Sequence, residues 1–164
     1  MPAPTPGYVK NIIRRSMRET VDPSPKAKDV NTIWDFFNSE CAYCGKKLRK
    51  GYKEGHIDHL ISASCGGANG ISNRVLSCAS CNEAEKLDMP WEEFLSKKCS
   101  NKHIEAERKN KILQWQKTHK ESILGKDVLS KIKLLADDVT SYYDEKIKQA
   151  RILRSRGGSF PSSK

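Results

Sequence analysis

Residues 55–86 contain a dense group of side chains that can bind metal ions or move protons. The segment reads GHIDHLISASCGGANGISNRVLSCASCNEAEK and includes two histidines, one aspartate, three asparagines and three cysteines. Such side chains serve either to hold a metal ion that stabilises a small fold or to catalyse a reaction. Their spacing shows which of these two interpretations applies to each group.

Two Cys-x-x-Cys pairs, Cys41 with Cys44 and Cys78 with Cys81, have the spacing of a tetrahedral zinc site. Each pair supplies two thiolates from a tight turn, and together the pairs provide four ligands. Because four thiolates leave no position for a water molecule, we predict a structural Zn²⁺ whose binding energy contributes to folding. Iron is the alternative ion for the same ligands.

Asp58 lies at the end of one predicted strand, and Asn82 begins the helix that follows the second cysteine pair. Both side chains offer oxygen atoms, which are the ligands that Mg²⁺ or Mn²⁺ prefers. His59 follows Asp58 directly, and a neutral imidazole can take a proton from a water that attacks phosphorus. A cation would stabilise the negative charge that develops on the scissile phosphate. Asn73 is a candidate for orienting the histidine. These residues predict metal-dependent phosphodiester hydrolysis.

The charge of the chain favours a polyanionic partner. There are 30 lysines and arginines against 20 acidic residues, which gives a net charge of +10. Scattered cations bind nucleic acid through its phosphates, so DNA is the predicted partner. An acidic membrane is the rival, but no apolar run is long enough to span one.

Four further residues are candidate substrate contacts: His56, Lys86, Arg14 and Arg15. His56 would face the same side of a strand as Asp58, although it can equally be an ordinary strand residue. For Lys86, the favoured alternative is a solvated lysine on a helix. Arg14 and Arg15 belong to a basic amphipathic helix, and their alternative role is to form the solvated face of that helix.

The hydrophobic pattern predicts helices on both sides of a short mixed segment. Helices are expected at 8–19, 26–38, 89–98, 101–122 and 126–156. Between them, CAYCGKKL is expected to lead into a strand and GHIDHLIS to form another. NRVLSCASCNEAEK is expected to start extended and to become helical from about Ala79. Trp34 is predicted to be a core residue rather than a platform for base stacking.

The segment from about Cys41 to Lys86 resembles the HNH endonucleases in their zinc-supported ββα-metal form. The matching residues are CAYCGKKL, HIDHLIS, GG and SNRVLSCASCNEAEK. The resemblance implies that His59 is the general base, that Asp58 and Asn82 bind one divalent cation and that Asn73 orients His59. It also implies DNA cleavage to 5′-phosphate and 3′-hydroxyl ends. Ser62 stands where family members often have proline.

An α+β fold is therefore expected, with a small ββα-metal core and helices on either side. We divide the chain into a basic N-terminal helical arm (1–38), an HNH nuclease domain (39–98), a C-terminal helical region (99–156) and a flexible tail (157–164). The C-terminal helices carry apolar residues at coiled-coil-like spacing, which makes a homodimer possible. These residues are Val128, Ile132, Leu135, Val139 and Tyr142.

The biological setting follows less directly from the residues. The first ten residues contain no apolar h-region, so we expect a cytoplasmic protein. A restriction enzyme, a phage or mobile-element nuclease and a nicking partner of a larger complex are all compatible with the motif, and RNA remains an alternative substrate. The alternative class is a zinc-stabilised nucleic-acid-binding module without catalysis, which has no need to keep the motif aspartate, histidine and asparagines together.

Overall fold

The computed structural model describes residues 4–119 and 126–156. Within these ranges the chain forms helices α1 (Pro6–Val21), α2 (Ala27–Phe36), α3 (Trp91–Lys98), α4 (Lys102–Thr118) and α5 (Lys126–Arg156), and strands β1 (Gly55–His59) and β2 (Arg74–Cys78). A 3₁₀ turn, Ile71–Asn73, precedes β2, and a short π-helix, Ser80–Lys86, follows it. This mixture confirms the α+β class. The predicted tail, 157–164, lies outside the described residues.

The chain separates into two compact units. The sheet unit falls within residues 22–124, and the helical unit combines residues up to Val21 with residues from 125 onward. Helix α2 belongs to the sheet unit, although the four-part division above places it in the N-terminal arm. That division stays a prediction. Across the described ranges, no helix combines the length and apolar composition needed to cross a bilayer.

The sheet unit is built on an antiparallel pair of strands. Gly55 is opposite Cys78 at one end, and His59 is opposite Arg74 at the other. The prediction of a strand after the first cysteine pair is wrong, since the described residues form only a single bridge there, between Glu40 and Lys47. The chain turns too soon for longer pairing, with positive φ angles at Gly51 (89°) and Lys53 (56°).

The core of the sheet unit joins β2 to helices α2, α3 and α4. Trp34 is only 6% exposed, which confirms its predicted core position. Its ring lies against the start of β1, where a Cβ on Gly55 would come within 2.3 Å of it, so glycine is required there. The other large buried side chains include Ile33, Phe37, Leu76, Trp91, Phe94, Leu95, Ile112 and Trp115.

The helical unit consists of α1 and α5 packed together. Lys10 bonds to Asp144 at 2.8 Å and Arg14 to Asp137 at 3.2 Å, so the two helices run antiparallel. The buried positions of α5 are Ala136 and Thr140. The predicted apolar stripe is divided: Val128 and Ile132 are half-buried, whereas Leu135, Val139 and Tyr142 are 54%, 45% and 62% exposed.

Candidate active site and metal centre

The four cysteines of the two Cys-x-x-Cys pairs come together as predicted. The sulfurs of Cys41, Cys44, Cys78 and Cys81 all lie within 4.8 Å of one another. The Sγ atoms of Cys44 and Cys78 are 3.8 Å apart, far beyond a disulfide bond of about 2.05 Å. Tetrahedral zinc with Zn–S bonds of about 2.3 Å places its sulfurs about 3.8 Å apart. The cluster therefore has the donors and the spacing to hold one metal ion.

Backbone hydrogen bonds position the cysteines. In the first turn, Cys41 N–H donates to Lys46 O and Gly45 N–H donates to Cys41 O, both at 2.9 Å. Gly45 has φ of 73°, a conformation that favours glycine. Ala42 N–H then donates to Leu76 O at 2.8 Å and fixes the turn to β2. Because β2 ends at Cys78, the second pair lies beside the first.

The thiols of Cys41, Cys44 and Cys81 shift one another's pKa values because their sulfurs lie close together. Hydrogen bonds from Cys44 and Cys81 lower the pKa of Cys41, whose thiolate accepts them. The same contact with Cys41 raises the pKa of Cys44 to about 11, and it also raises that of Cys81. A coordinated metal ion deprotonates the thiols it binds. This donor set fits a metal.

Asp58 is buried near the end of β1, where two neighbours hold its carboxylate. The Tyr43 hydroxyl donates to Asp58 Oδ2 at 2.9 Å. Lys86 Nζ lies 3.4 Å from the same oxygen and donates to the backbone oxygen of His59 at 2.6 Å. Burial raises the pKa of Asp58, and the nearby charge of Lys86 opposes that rise. The charge of Asp58 in turn adds to burial in raising the pKa of Tyr43.

Lys86 is not the solvated lysine favoured from the sequence. Its side chain is 1% exposed and joins the end of the π-helix to the end of β1. A lysine is rarely buried without a charged partner, and Asp58 is that partner. Hydrophobic periodicity gave no signal for this pair, because both residues are polar. The pair becomes apparent only when the helix is packed on the sheet.

The His59 ring is half-buried at the end of β1 and contacts two side chains that the sequence did not identify as part of the site. Its Nε2 lies 3.1 Å from Asn69 Oδ1, and its Nδ1 lies 3.0 Å from Arg74 Nη1. The strand register explains the second contact, since His59 and Arg74 are opposite each other. Asn69 could have been noticed as one of three asparagines in the motif, but nothing in its spacing separates it from the others.

Asn73 holds the loop that follows His59. Its Oδ1 accepts from Ile61 N–H at 2.9 Å, and its Nδ2 donates to the backbone oxygens of Ile61 and Ala68 at 2.9 and 2.8 Å. Gly67 makes this closure possible, because a Cβ there would lie 1.8 Å from Ile61 O. These contacts fix the backbone next to His59. A direct role for Asn73 in orienting the imidazole stays a prediction.

The π-helix that includes Asn82 covers the face of β1 that carries Asp58. Residues 56 and 58 point to one face of the strand. Glu83 Oε1 lies 3.2 Å from His56 Nδ1, and Lys86 contacts Asp58, so this helix covers that face. Asn82 is half-buried on it. The structure thus brings the predicted oxygen ligands onto neighbouring elements.

The remaining candidate contacts, Arg14 and Arg15, belong to the helical unit. Arg14 bonds there to Asp137 and to the Thr140 hydroxyl, both at 3.2 Å. Arg15 is exposed on α1. Their predicted contact with substrate stays a prediction.

Comparison with known proteins agrees with the motif. Residues 41–86 match the family model described as HNH endonuclease. A Bacillus subtilis (strain 168) protein named "SPbeta prophage-derived putative HNH endonuclease YoqL" is 37% identical over 99 residues, which cover 53% of this chain and 39% of that protein. The chain therefore spans about two fifths of that relative's length. The matched segment contains the cysteine cluster, Asp58, His59 and Lys86, which confirms the resemblance for this part of the chain.

Proposed function

We propose, from the match of residues 41–86 to the HNH endonuclease family, that this protein is a metal-dependent endonuclease that hydrolyses phosphodiester bonds in DNA. One observation supports the proposal most strongly. Asp58 and His59 are adjacent residues at the end of β1, which pairs with the strand that carries Cys78 of the four-cysteine cluster, and both side chains have specific polar partners. A module that only binds nucleic acid does not need such an arrangement.

Two metal sites are proposed, with different tasks. Cys41, Cys44, Cys78 and Cys81 would hold a structural Zn²⁺, since four sulfurs at this spacing leave no open position for a substrate. Asp58 and Asn82 would hold Mg²⁺ or Mn²⁺, which prefer oxygen ligands. When bound there, the divalent cation would supply electrostatic stabilisation of the negative charge on the phosphate.

His59 is the proposed general base. It takes a proton from a water molecule, whose oxygen forms a bond to phosphorus while the bond from phosphorus to the 3′ oxygen breaks. The 3′ oxygen then takes a proton from solvent, which gives 5′-phosphate and 3′-hydroxyl ends. Asn73 keeps the loop after His59 closed through Ile61 and Ala68. Lys86 is proposed to hold Asp58 rather than to bind phosphate, because it is buried.

DNA is the proposed substrate because of the charge of the chain and the exposed cations of the sheet unit. Lys46, Lys50 and Lys53 are exposed on the turn that leads into β1. Their neighbours Lys47 and Arg49 are paired with Glu40 and Glu54. Exposed lysines of this kind bind phosphates without reading sequence.

The biological setting and the oligomeric state of the protein are further proposals. The relative's name refers to a prophage, which favours a phage or mobile-element nuclease over a restriction enzyme. A homodimer through the C-terminal helices would use the exposed face of α5 that carries Leu135, Val139 and Tyr142. Cleavage of both strands of a duplex would be a reason for such a dimer.

The test is incubation of the full chain with supercoiled plasmid and Mg²⁺, with and without a chelator, beside a single-stranded RNA of similar length. The proposal expects nicked or linear plasmid that the chelator prevents. Plasmid that is bound but never cut with Mg²⁺ or Mn²⁺ would instead identify the chain as a zinc-stabilised binding module. Preferential cleavage of the RNA would reassign the substrate.

A further inference from the structure

Asn69 connects His59 to a part of the chain that lies far away in sequence. Its backbone N–H donates to both carboxylate oxygens of Asp22 at 2.9 Å, and its Nδ2 donates to the Asp22 backbone oxygen at 2.8 Å. Asp22 is only 4% exposed. Asn69 is thus held by three hydrogen bonds on its Asp22 side, and its side-chain oxygen points to the candidate site.

Arg74 completes the network on the other side of Asn69. Its Nη2 donates to Asn69 Oδ1 at 3.0 Å and its Nε to the Asn69 backbone oxygen at 3.1 Å. Its third nitrogen, Nη1, reaches His59 Nδ1. The guanidinium is therefore fixed in one orientation by Asn69 while it contacts the imidazole.

The donors and acceptors of this network allow one assignment of the histidine proton. Asn69 Nδ2 is committed to a carbonyl oxygen, so the atom facing His59 is the amide oxygen, which can only accept. Arginine can only donate. In the neutral ring, Nε2 must then carry the hydrogen and donate to Asn69, whereas Nδ1 accepts from Arg74. The opposite tautomer would place two acceptors together at Nε2 and two donors together at Nδ1, which leaves polar groups unsatisfied.

We propose that Asn69, held by Asp22, is a positioning residue that fixes the His59 ring in the Nε2–H tautomer. The lone pair of the ring is then on Nδ1, where it accepts from Arg74, so this hydrogen bond must open before Nδ1 can take a proton from water. This inference rests on the proposed function for its catalytic meaning. The tautomer itself is a property of the free protein. Asn69 acts through His59 and Arg74 and does not contact the reacting atoms.

The experiment is ¹⁵N NMR of the full chain labelled at its four histidines, recorded without DNA at a pH where the His59 ring is neutral. A His59→Gln spectrum assigns the His59 signals. In the wild type, the protonated nitrogen should be Nε2. Asn69→Ala should give a mixture of tautomers, whereas Asn69→Asp, which keeps an oxygen acceptor towards Nε2, should retain the Nε2–H form.

Plasmid cleavage by the same variants provides the second readout. Asn69→Ala should lower kcat by about 10- to 100-fold with little change in KM, since misplacement of a catalytic group costs rate rather than binding. The matched control is Asn101→Ala, which removes an asparagine that caps α4 through His103 N–H and Ile104 N–H. This control should leave both the tautomer and kcat unchanged.

The two proposals fail in different ways. A wild-type His59 protonated on Nδ1, or a tautomer that Asn69→Ala does not alter, overturns the positioning role even if the protein cleaves DNA. A protein that never cleaves DNA, but whose Nε2–H tautomer depends on Asn69, supports the positioning of the ring and overturns the proposed function.

Discussion

The ammonium group of Lys86 lies 3.4 Å from Oδ2 of Asp58, and both side chains are buried. The candidate cation ligand therefore already has a positive partner inside the protein. Tyr43 donates to the same carboxylate oxygen at 2.9 Å. The carboxylate is held in place by neighbours from the first cysteine turn and from the π-helix, so Asp58 does not depend on an added metal ion for its position.

Replacement of Lys86 by methionine should destabilise the protein by about 3–5 kcal/mol, because it leaves a buried carboxylate without its cation. The measurement is urea unfolding followed by circular dichroism. Lys97→Met is the matched control, since Lys97 pairs with Glu93 on the surface and should cost less than about 1 kcal/mol. Adding Asp58→Asn to Lys86→Met should recover part of the loss, and a double variant no more stable than the single one contradicts the pairing.

The cost of Lys86→Met should also depend on pH. Burial raises the pKa of Asp58 above its ordinary value of 3.8, so the folded protein binds this proton more tightly than the unfolded chain does. The contribution of Asp58 is therefore most favourable at low pH and declines as pH rises through the folded pKa. Without Lys86, whose charge opposes the rise, the decline becomes larger.

The measurement is the difference in unfolding free energy between wild type and Lys86→Met across pH 4 to 8. This difference should shrink towards acid, where a protonated Asp58 needs no cation, and grow towards neutral pH. Because both proteins carry the same cysteine cluster, acid loss of its metal affects them alike. A difference that does not change with pH would mean that Lys86 stabilises the fold by packing alone.

The local features of the site followed from sequence spacing, whereas its long-range contacts did not. The cysteine cluster and the two paired strands were predictable because Cys-x-x-Cys turns and short alternating runs have fixed local geometry. The contacts of Asp22 with Asn69 and of Tyr43 with Asp58 join residues 47 and 15 positions apart. These contacts depend on how the loop that carries Asn69 and the turn that carries Tyr43 pack against the rest of the sheet unit, which no local pattern specifies.

Helix α5 shows the limit of periodicity. Its apolar spacing correctly predicted a long helix, but its fully buried described positions are Ala136 and Thr140, whereas Leu135 and Val139 of the predicted stripe are exposed. Small side chains allow the two helices to approach, and the ion pairs of Lys10 and Arg14 with α5 fix their alignment. A hydrophobic stripe shows that a helix has an apolar face, but it does not identify the neighbour.

Cys41→Ser should remove stoichiometric zinc and lower Tm by about 10 °C or more, which corresponds to roughly 2 kcal/mol for a domain of this size. The reason is that one ligand of a closed shell is lost and metal binding contributes to folding. Metal analysis and thermal unfolding measure both effects. Cys65→Ser is the control, because Cys65 is exposed and outside the cluster. Full zinc content and an unchanged Tm in Cys41→Ser would refute the four-cysteine site.

The two proposed metal sites should differ in how tightly they bind their metal ions. Asp58 and Asn82 offer two protein ligands and leave the rest of the coordination to water and phosphate, so the cation there should bind weakly. Dialysis against a mild chelator should stop plasmid cleavage while zinc content and circular dichroism stay unchanged. Mg²⁺ or Mn²⁺ should restore cleavage in the wild type but not in Asp58→Ala. Activity that follows zinc content and ignores added Mg²⁺ would show that the catalytic site has been misplaced.

The catalytic role of His59 is tested by comparing His59→Ala with the wild type in plasmid cleavage at saturating Mg²⁺. His103→Ala serves as control, since His103 is exposed on α4 and pairs there with Glu107. We expect His59→Ala to lose at least about 100-fold in cleavage rate, the contribution of a general base, with native circular dichroism and unchanged DNA affinity. The control should stay within about twofold of wild type. Near-normal cleavage by folded His59→Ala would show that this histidine does not activate the attacking water.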